Sequence, residues 1–102
     1  MAPSDWTYVL VLGYRFYFKY QPGTPKPILH ITYEHGCEMT CAVVPWIKGD
    51  AQNNSTWNPR HSRFEFVGGN HSIYWVWIDQ VKRYVSIITC VNLADKEDCP
   101  DV

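Results

Sequence analysis

The sequence predicts an all-β domain of about seven short strands packed as a two-sheet sandwich. β-Branched and aromatic residues are concentrated in short runs, and glycines, prolines and asparagines separate these runs as turn signals. Strands at this spacing, with no confidently predicted helix, are typical of a sandwich. The 102 residues suffice for one domain with its own core. We therefore treat residues 1–102 as a single domain.

Three strands are predicted in the first half of the chain. Residues 6–20 are rich in branched and aromatic side chains, which alternate with Arg15, Tyr17 and Lys19 towards the end, and are interpreted as one long strand. Gly13 marks a bulge or a bend in it, because the two residues of a hairpin turn are missing there. Three prolines between residues 21 and 27 end this strand. Residues 28–34 and 40–47 follow as strands, and the proline within the latter confines it to a sheet edge.

The second half begins with a polar loop, residues 48–59, which lacks any periodicity. Residues 63–67 and 72–79 are predicted as the two arms of a hairpin whose turn contains Gly68, Gly69 and Asn70. A turn at 79–82 leads into residues 83–92. Apolar residues there also fit helical spacing, but their branched side chains favour a strand.

Three of the five asparagines begin an Asn-x-Ser/Thr glycosylation acceptor: Asn53, Asn54 and Asn70. All three lie outside the predicted strands. We expect at least one to carry a glycan in the native host, which indicates a secretory route. A glycan shields its surroundings, so a binding face is expected away from these sites.

The four cysteines, Cys37, Cys41, Cys90 and Cys99, are even in number and are interpreted as two disulfides formed in an oxidising compartment. Three connectivities are open. The alternative is a zinc site in which His35, Cys37 and Cys41 are completed by a later cysteine. A paired C-x2-C signature is missing and the acceptors indicate secretion, so we predict neither a metal nor another cofactor.

Composition argues against several functions. The net charge is −1 with 19% charged residues, which gives no field of one sign to attract nucleic acid. No histidine lies at a spacing that pairs it with a nucleophile, so we predict a non-enzymatic protein. The alternative is a secreted effector with ribonuclease-like chemistry, which would use Glu34, His35 and His61 as acid, base and phosphate-binding groups.

Aromatic residues make up 16% of the chain, including five tryptophans. Alternation places Trp75 and Trp77 on one face of a strand whose two faces are both apolar, as in a central strand between packed layers. Trp46 and Trp57 flank the polar loop outside long apolar runs, and we predict them as exposed anchors for a partner. A small glycan-binding module using either tryptophan is a further alternative.

Cys41 on an early strand and Cys90 on the last, around a core rich in tryptophan, resemble an immunoglobulin-type sandwich. The resemblance implies an inter-sheet Cys41–Cys90 disulfide. The tryptophan and tyrosine positions of standard members are not matched, since Ile88 stands where the tyrosine is expected. Cys37 pairing with Cys90, and Cys41 with Cys99, is the other arrangement considered.

With its acceptors and additional cysteines, the chain resembles the divergent immunoglobulin-like luminal domains of herpesvirus immunoevasins, in particular the murine cytomegalovirus family that engages MHC class I molecules. The resemblance implies a viral glycoprotein that binds a host protein, with no catalytic residue. It also implies a location in the endoplasmic reticulum lumen or at the cell surface.

The sequence contains no signal-peptide pattern and no apolar run of membrane-spanning length. We therefore expect residues 1–102 to be a domain excised from a longer precursor, with any membrane anchor following residue 102.

Overall fold

A computed structural model of the chain describes residues 5–93. The strands are β1 (Trp6–Val11), β2 (Tyr14–Lys19), β3 (Thr56–Asn58), β4 (Arg63–Gly68), β5 (His71–Asp79) and β6 (Tyr84–Asn92), and the helices are α1 (His30–His35), α2 (Met39–Lys48) and α3 (Ala51–Asn54). No described helix has the length and apolar character needed to cross a membrane.

The six strands form one sheet in the order β1-β2-β6-β5-β4-β3. Neighbouring strands are antiparallel except β2 and β6, which run parallel. The predominantly β composition is therefore confirmed. Among residues 5–93, however, the strands share one sheet rather than two, and the layer packed on that sheet is helical. The difference arises because two of the predicted strands are helices.

The predicted strand 28–34 is wrong, because most of it forms α1. The backbone C=O of Leu29 accepts the first helical hydrogen bonds, from Thr32 and Tyr33 at 3.1 and 2.9 Å. Gly36 takes the left-handed conformation (φ 68°), and the N–H groups of Gly36 and Cys37 close the helix on its last turn. The hydrogen bond from the Gly36 N–H to the Thr32 carbonyl oxygen is that of an αL helix end, for which glycine is favoured because it has no Cβ. His35 and Gly36 therefore form the end of a helix.

The predicted strand 40–47 is also wrong, because it lies within α2. Its branched residues fit a strand locally, but the helix buries Cys41, Ala42, Val43, Val44 and Trp46. Pro45 lies inside this helix, where it can donate no hydrogen bond to the preceding turn. Burial against the sheet outweighs the local preference, since most helical stability in proteins comes from packing.

The long strand predicted for residues 6–20 is instead a hairpin of β1 and β2. Val11 pairs with Tyr14, so Leu12 and Gly13 form a two-residue turn. Both have positive φ, 49° and 85°, which is the conformation of a type I′ turn. The interpretation of Gly13 as a bulge is wrong because Leu12, a residue that disfavours this conformation, adopts it.

The remaining strands are confirmed to within a residue or two at their ends. β4 and β5 form the predicted hairpin, in which Gly68 pairs with His71 across Gly69 and Asn70. β6 is a strand, as its branched residues predicted. The polar segment 48–59 is not only a loop, since it contains α3 and β3.

The core lies between the helices and one face of the sheet. It contains buried residues of β2, β4, β5, β6 and all three helices. At its centre the Trp46 ring makes edge-to-face contacts with Phe16 and Trp75, with ring centroids 5.2 Å apart in both pairs. The described helices therefore cover one face of the sheet and leave the opposite face without a packed layer.

Candidate functional site: an open tyrosine face

The sheet face opposite the helices is formed by side chains that alternate with the core residues. Strand register places Tyr8 beside Tyr17, and Arg15 beside Tyr84. Farther across the sheet, Tyr74 pairs with Glu65. We call this surface the tyrosine face and define it by Tyr8, Tyr17, Tyr74, Tyr84, Arg15 and Arg63. Tyr8 is exposed, Tyr74, Tyr84 and the two arginines are half-buried, and Tyr17 is buried.

Arg15 is the centre of the larger half of the tyrosine face. Its guanidinium carbon lies 4.4 Å from the ring centroids of both Tyr8 and Tyr84. One guanidinium nitrogen donates a 3.1 Å hydrogen bond to the Tyr17 hydroxyl. This hydrogen bond raises the pKa of Arg15, so the side chain is a permanent cation held by aromatic rings.

Arg63 forms the smaller half. Its guanidinium lies 3.9 Å from the Tyr74 ring centroid and donates a 2.9 Å hydrogen bond to the Glu65 carboxylate. Asn58 donates a second hydrogen bond to the same carboxylate, also at 2.9 Å. The Asn58 hydrogen bond, together with that of Arg63, lowers the pKa of Glu65. The charge of Arg63 is thus balanced, whereas that of Arg15 is not.

Apolar side chains on the same face are exposed. Leu10 of β1 and Val67 of β4 are 66% and 65% exposed, and Ile78 of β5 is 44% exposed. Lys19 is exposed at the end of β2, and the Lys82 ammonium lies 5.9 Å from the Tyr84 ring centroid. The face thus combines rings and apolar side chains with positive charge from Arg15 and Lys82 at the end where β2 and β6 begin, whereas Lys19 lies at the other end of β2.

The two predicted tryptophan anchors have opposite positions. Trp46 is 2% exposed, so the prediction that it is an exposed anchor is wrong. Helix α2 turns it into the core, which its position beside a polar loop did not indicate. Trp57 is 48% exposed and lies edge-to-face on Phe64, with centroids 4.9 Å apart. Of these two tryptophans only Trp57 is available for contact, at the sheet edge formed by β3.

The glycosylation acceptors lie away from the tyrosine face or at its margin. Asn53 and Asn54 are exposed on α3, whose Ala51 is part of the core on the helical side. Asn70 is exposed in the β4–β5 turn, with its carbonyl accepting a 2.6 Å hydrogen bond from Leu93. Glycans on Asn53 or Asn54 would therefore leave the tyrosine face open.

The cysteines are not paired as the immunoglobulin resemblance implies. Cys41 is disulfide-bonded, while Cys37 and Cys90 are buried free thiols. The Cys41–Cys90 pairing is therefore wrong: α1 and α2 bring Cys37, not Cys41, to Cys90. The Cys37 sulfur lies 3.2 Å from the Cys90 carbonyl oxygen. Cys99 lies outside the described residues.

The zinc alternative named the wrong histidine. His71, rather than His35, lies with Cys37 and Cys41, and their ligand atoms are within 4.8 Å of one another in a buried cluster. Because the sulfur of Cys41 is part of a disulfide, it is not a thiolate that can bind a metal. The cluster in its present form is a sulfur-rich core contact of β5 with α2.

The groups of the ribonuclease alternative are not brought together among residues 5–93. Glu34 and His35 end α1, which packs on β6, whereas His61 lies in the turn between β3 and β4 at the far edge. An open cleft of about 320 Å³ is lined by Lys19, Gln21, Pro22, His30 and Ile88. This described lining contains no carboxylate, thiol or hydroxyl that could act as a nucleophile.

Comparison of the chain with protein-family models, curated proteins and solved structures finds no match. The candidate site therefore depends on its own geometry. The sequence reasoning missed the tyrosine face, because the 6–20 segment was interpreted as a single strand. The sequence contained a signal for this face, namely Tyr8, Arg15 and Tyr17. The sheet face on which each of these side chains lies can be assigned only once the Leu12-Gly13 turn is known.

Proposed function

We propose that the chain is a non-enzymatic binding domain that recognises a partner protein through the tyrosine face. The observation that carries this proposal is the Arg15 guanidinium held between the rings of Tyr8 and Tyr84. These side chains lie on a sheet face that the described helices leave open.

The composition of the tyrosine face supports protein binding. Tyrosine and arginine are enriched where protein interfaces carry most of their binding energy, and glutamate and lysine are depleted there. Four tyrosines and two arginines define this face, and its glutamate is neutralised by Arg63. The exposed Leu10, Val67 and Ile78 add apolar area that association with a partner would remove from water.

The geometry also lowers the entropic cost of binding. The rings are borne by strands, and mutual contacts already order them: the Tyr8 and Tyr17 centroids are 5.2 Å apart, and those of Tyr17 and Tyr84 are 5.9 Å apart. A surface that is ordered before association loses less side-chain freedom on binding. Arg15 and Lys82 place positive charge at the end where β2 and β6 begin, which favours an acidic patch on the partner.

The class of partner comes from the sequence resemblance. On that basis we propose a pathogen glycoprotein domain, distantly immunoglobulin-like, that modulates host immune recognition by binding MHC class I molecules. The Cys41 disulfide and the exposed acceptors support a place in the secretory pathway, as a lumenal or surface domain.

The test is binding of the glycosylated, folded domain to a soluble class I complex, measured by surface plasmon resonance and by co-precipitation from transfected cells. We expect Arg15→Ala and Tyr84→Ala each to weaken binding by about tenfold or more, as truncation of a central anchor does. Binding is also expected to weaken with rising salt, because the positive end contributes.

Matched controls lie off the tyrosine face. Tyr33→Ala removes a tyrosine that is 57% exposed on α1, and Arg60→Ala removes an exposed arginine from the β3–β4 turn. Both should bind as the wild type does. Equal losses from Tyr33→Ala and Tyr84→Ala would refute the tyrosine face, whereas no binding by the folded wild type would refute the class I partner.

A further inference from the structure

Two free thiols lie side by side in the core, next to the disulfide of Cys41. Cys37 follows α1, and Cys90 lies near the end of β6; both are fully buried. The Cys37 thiol donates a 3.2 Å hydrogen bond to the Cys90 carbonyl oxygen, and each thiol influences the pKa of the other. Helix α1 packs directly against β6, so their proximity follows from the fold.

The surroundings of the two thiols contain one other chemically active group. His71 lies beside Cys37, with a ligand atom of its ring within 4.8 Å of the Cys37 sulfur, and its Nε2 atom is buried without a hydrogen-bond partner. Burial lowers the pKa of His71 and so favours its neutral ring. Burial also raises the pKa of both thiols.

A metal accounts for this arrangement less well. A structural zinc site takes four ligands. The disulfide of Cys41 leaves Cys37 and His71 as the donors of the cluster that the described residues form, and Cys90 beside Cys37 would make only a third. For two adjacent thiols in a chain that already contains a disulfide, the simpler outcome is oxidation to a second disulfide.

We propose that Cys37 and Cys90 form a second disulfide when the protein folds in an oxidising compartment. Each cysteine gives up its thiol hydrogen and one sulfur–sulfur bond forms, so the pair loses two electrons and two protons. The electrons and protons pass to another disulfide, either that of an oxidoreductase or that of an oxidised small molecule, and this disulfide is reduced to two thiols. The fold has placed the two residues together across 53 positions of sequence, and the bond ties α1 to β6.

The proposal is independent of the tyrosine face. It assigns to Cys37 the partner that the immunoglobulin resemblance had assigned to Cys41. Because both sulfurs are buried in the finished fold, the exchange takes place before α1 is docked, while the oxidant still has access to them. Afterwards the same burial protects the bond from reductants.

The test is non-reducing peptide mapping of the full chain secreted from a eukaryotic host and alkylated under denaturing conditions. Trypsin separates Cys90 from Cys99 at Lys96, but no lysine or arginine lies between Cys37 and Cys41. A glutamate-specific protease is needed as well, to cut after Glu38. We expect the Cys37 and Cys90 peptides to be joined, two hydrogen atoms lighter than their sum.

Three outcomes would overturn the proposal: alkylated Cys37 and Cys90 in protein whose Cys41 is linked, a Cys41–Cys90 peptide, or one bound zinc per chain whose removal by a chelator exposes the thiols. A second measurement compares the melting temperature of the oxidised protein with that of protein that was reduced while unfolded and refolded in reductant, for the wild type and for C37A/C90A. Reduction should lower the melting temperature of the wild type more. Equal decreases in the melting temperature of the wild type and the variant would contradict the proposal. If the variant does not fold, the peptide map of the wild type tests the proposal by itself.

Discussion

The indole N–H of Trp75 donates a 2.8 Å hydrogen bond to the hydroxyl of Ser55, which in turn donates a 2.6 Å hydrogen bond to the carbonyl oxygen of Ala51. Trp75 is a fully buried core residue of β5, and Ser55 is the residue that ends α3. The serine of the Asn53 glycosylation acceptor thus also joins α3 to the core. Its presence in the sequence has a structural reason in addition to the glycan signal.

Ser55→Ala is expected to lower the free energy of unfolding by about 1–3 kcal/mol, because it leaves a buried indole N–H without an acceptor. Urea unfolding followed by tryptophan fluorescence measures this. Ser55→Thr, which keeps the hydroxyl, should lose less. An alanine variant as stable as the wild type would show that another acceptor replaces Ser55.

Leu12→Asn is expected to stabilise the protein by about 0.5–1 kcal/mol. Leu12 has φ 49° in the β1–β2 turn, a conformation that is unfavourable for leucine and that asparagine adopts more readily. Leu12 is 75% exposed, so little packing is lost. Thermal unfolding should show the gain for asparagine but not for Leu12→Ala, which removes the same exposed side chain without favouring the turn.

Within the overlapping acceptors, Asn53 is expected to carry the glycan. The amide nitrogen of Asn54 donates to two backbone carbonyls, of Gly49 at 2.9 Å and Asp50 at 3.1 Å, and a sugar on that nitrogen would replace one of these hydrogen atoms. The amide nitrogen of Asn53 instead contacts the exposed Asp50 carboxylate.

Expression of Asn53→Gln and Asn54→Gln in a eukaryotic host, with gel mobility compared before and after removal of N-glycans, tests this assignment. Asn53→Gln should lose one glycan, and Asn54→Gln should keep it. The reverse pattern would assign the glycan to Asn54. Asn70→Gln in each background removes the contribution of the third acceptor.

Stability is expected to fall as the pH is lowered below about 6.5. Burial lowers the pKa of His71 in the folded protein, so the unfolded chain binds a proton at higher pH than the folded chain does. This contribution is present above the ordinary histidine pKa of about 6.5 and is lost as the pH falls towards the lowered folded value. Urea unfolding at pH 7.5 and 5.5 measures it.

His71→Gln, which cannot be protonated in this range, should make stability less dependent on pH between 7.5 and 5.5. His61→Gln changes an exposed histidine and serves as the control. An unchanged pH dependence in His71→Gln would assign the effect to other groups.

Much of the sheet was predictable because its signals are local. Period-two alternation and the Gly69-Asn70 turn identify β4 and β5, and the branched residues of β6 exclude a helix there. The helices were not predictable in this way. Residues 40–47 have strand-forming composition, and only the apolar face of the sheet makes a helix the better way to bury them.

The candidate site was less predictable than the fold. Exposure of Trp57 is consistent with its position beside polar residues, but Trp46 has a similar local sequence and lies at the centre of the core. The two tryptophans differ in exposure because Trp46 belongs to α2, and the sequence predicted a strand instead of this helix. The tyrosine face depends in turn on an unfavourable backbone conformation at Leu12, which no local preference predicts.

By itself the sequence determined a mostly β chain, the three strands from Arg63 to Asn92, and the exposed placement of its glycosylation acceptors, because these follow from periodicity, turn chemistry and polarity over a few residues. Only the tertiary structure decided that the strands form one sheet, that helices cover one face of it and leave Tyr8, Tyr74 and Tyr84 accessible on the other, and that Cys37 rather than Cys41 meets Cys90. These features depend on contacts between residues distant in sequence, where burial of apolar surface outweighs local preference.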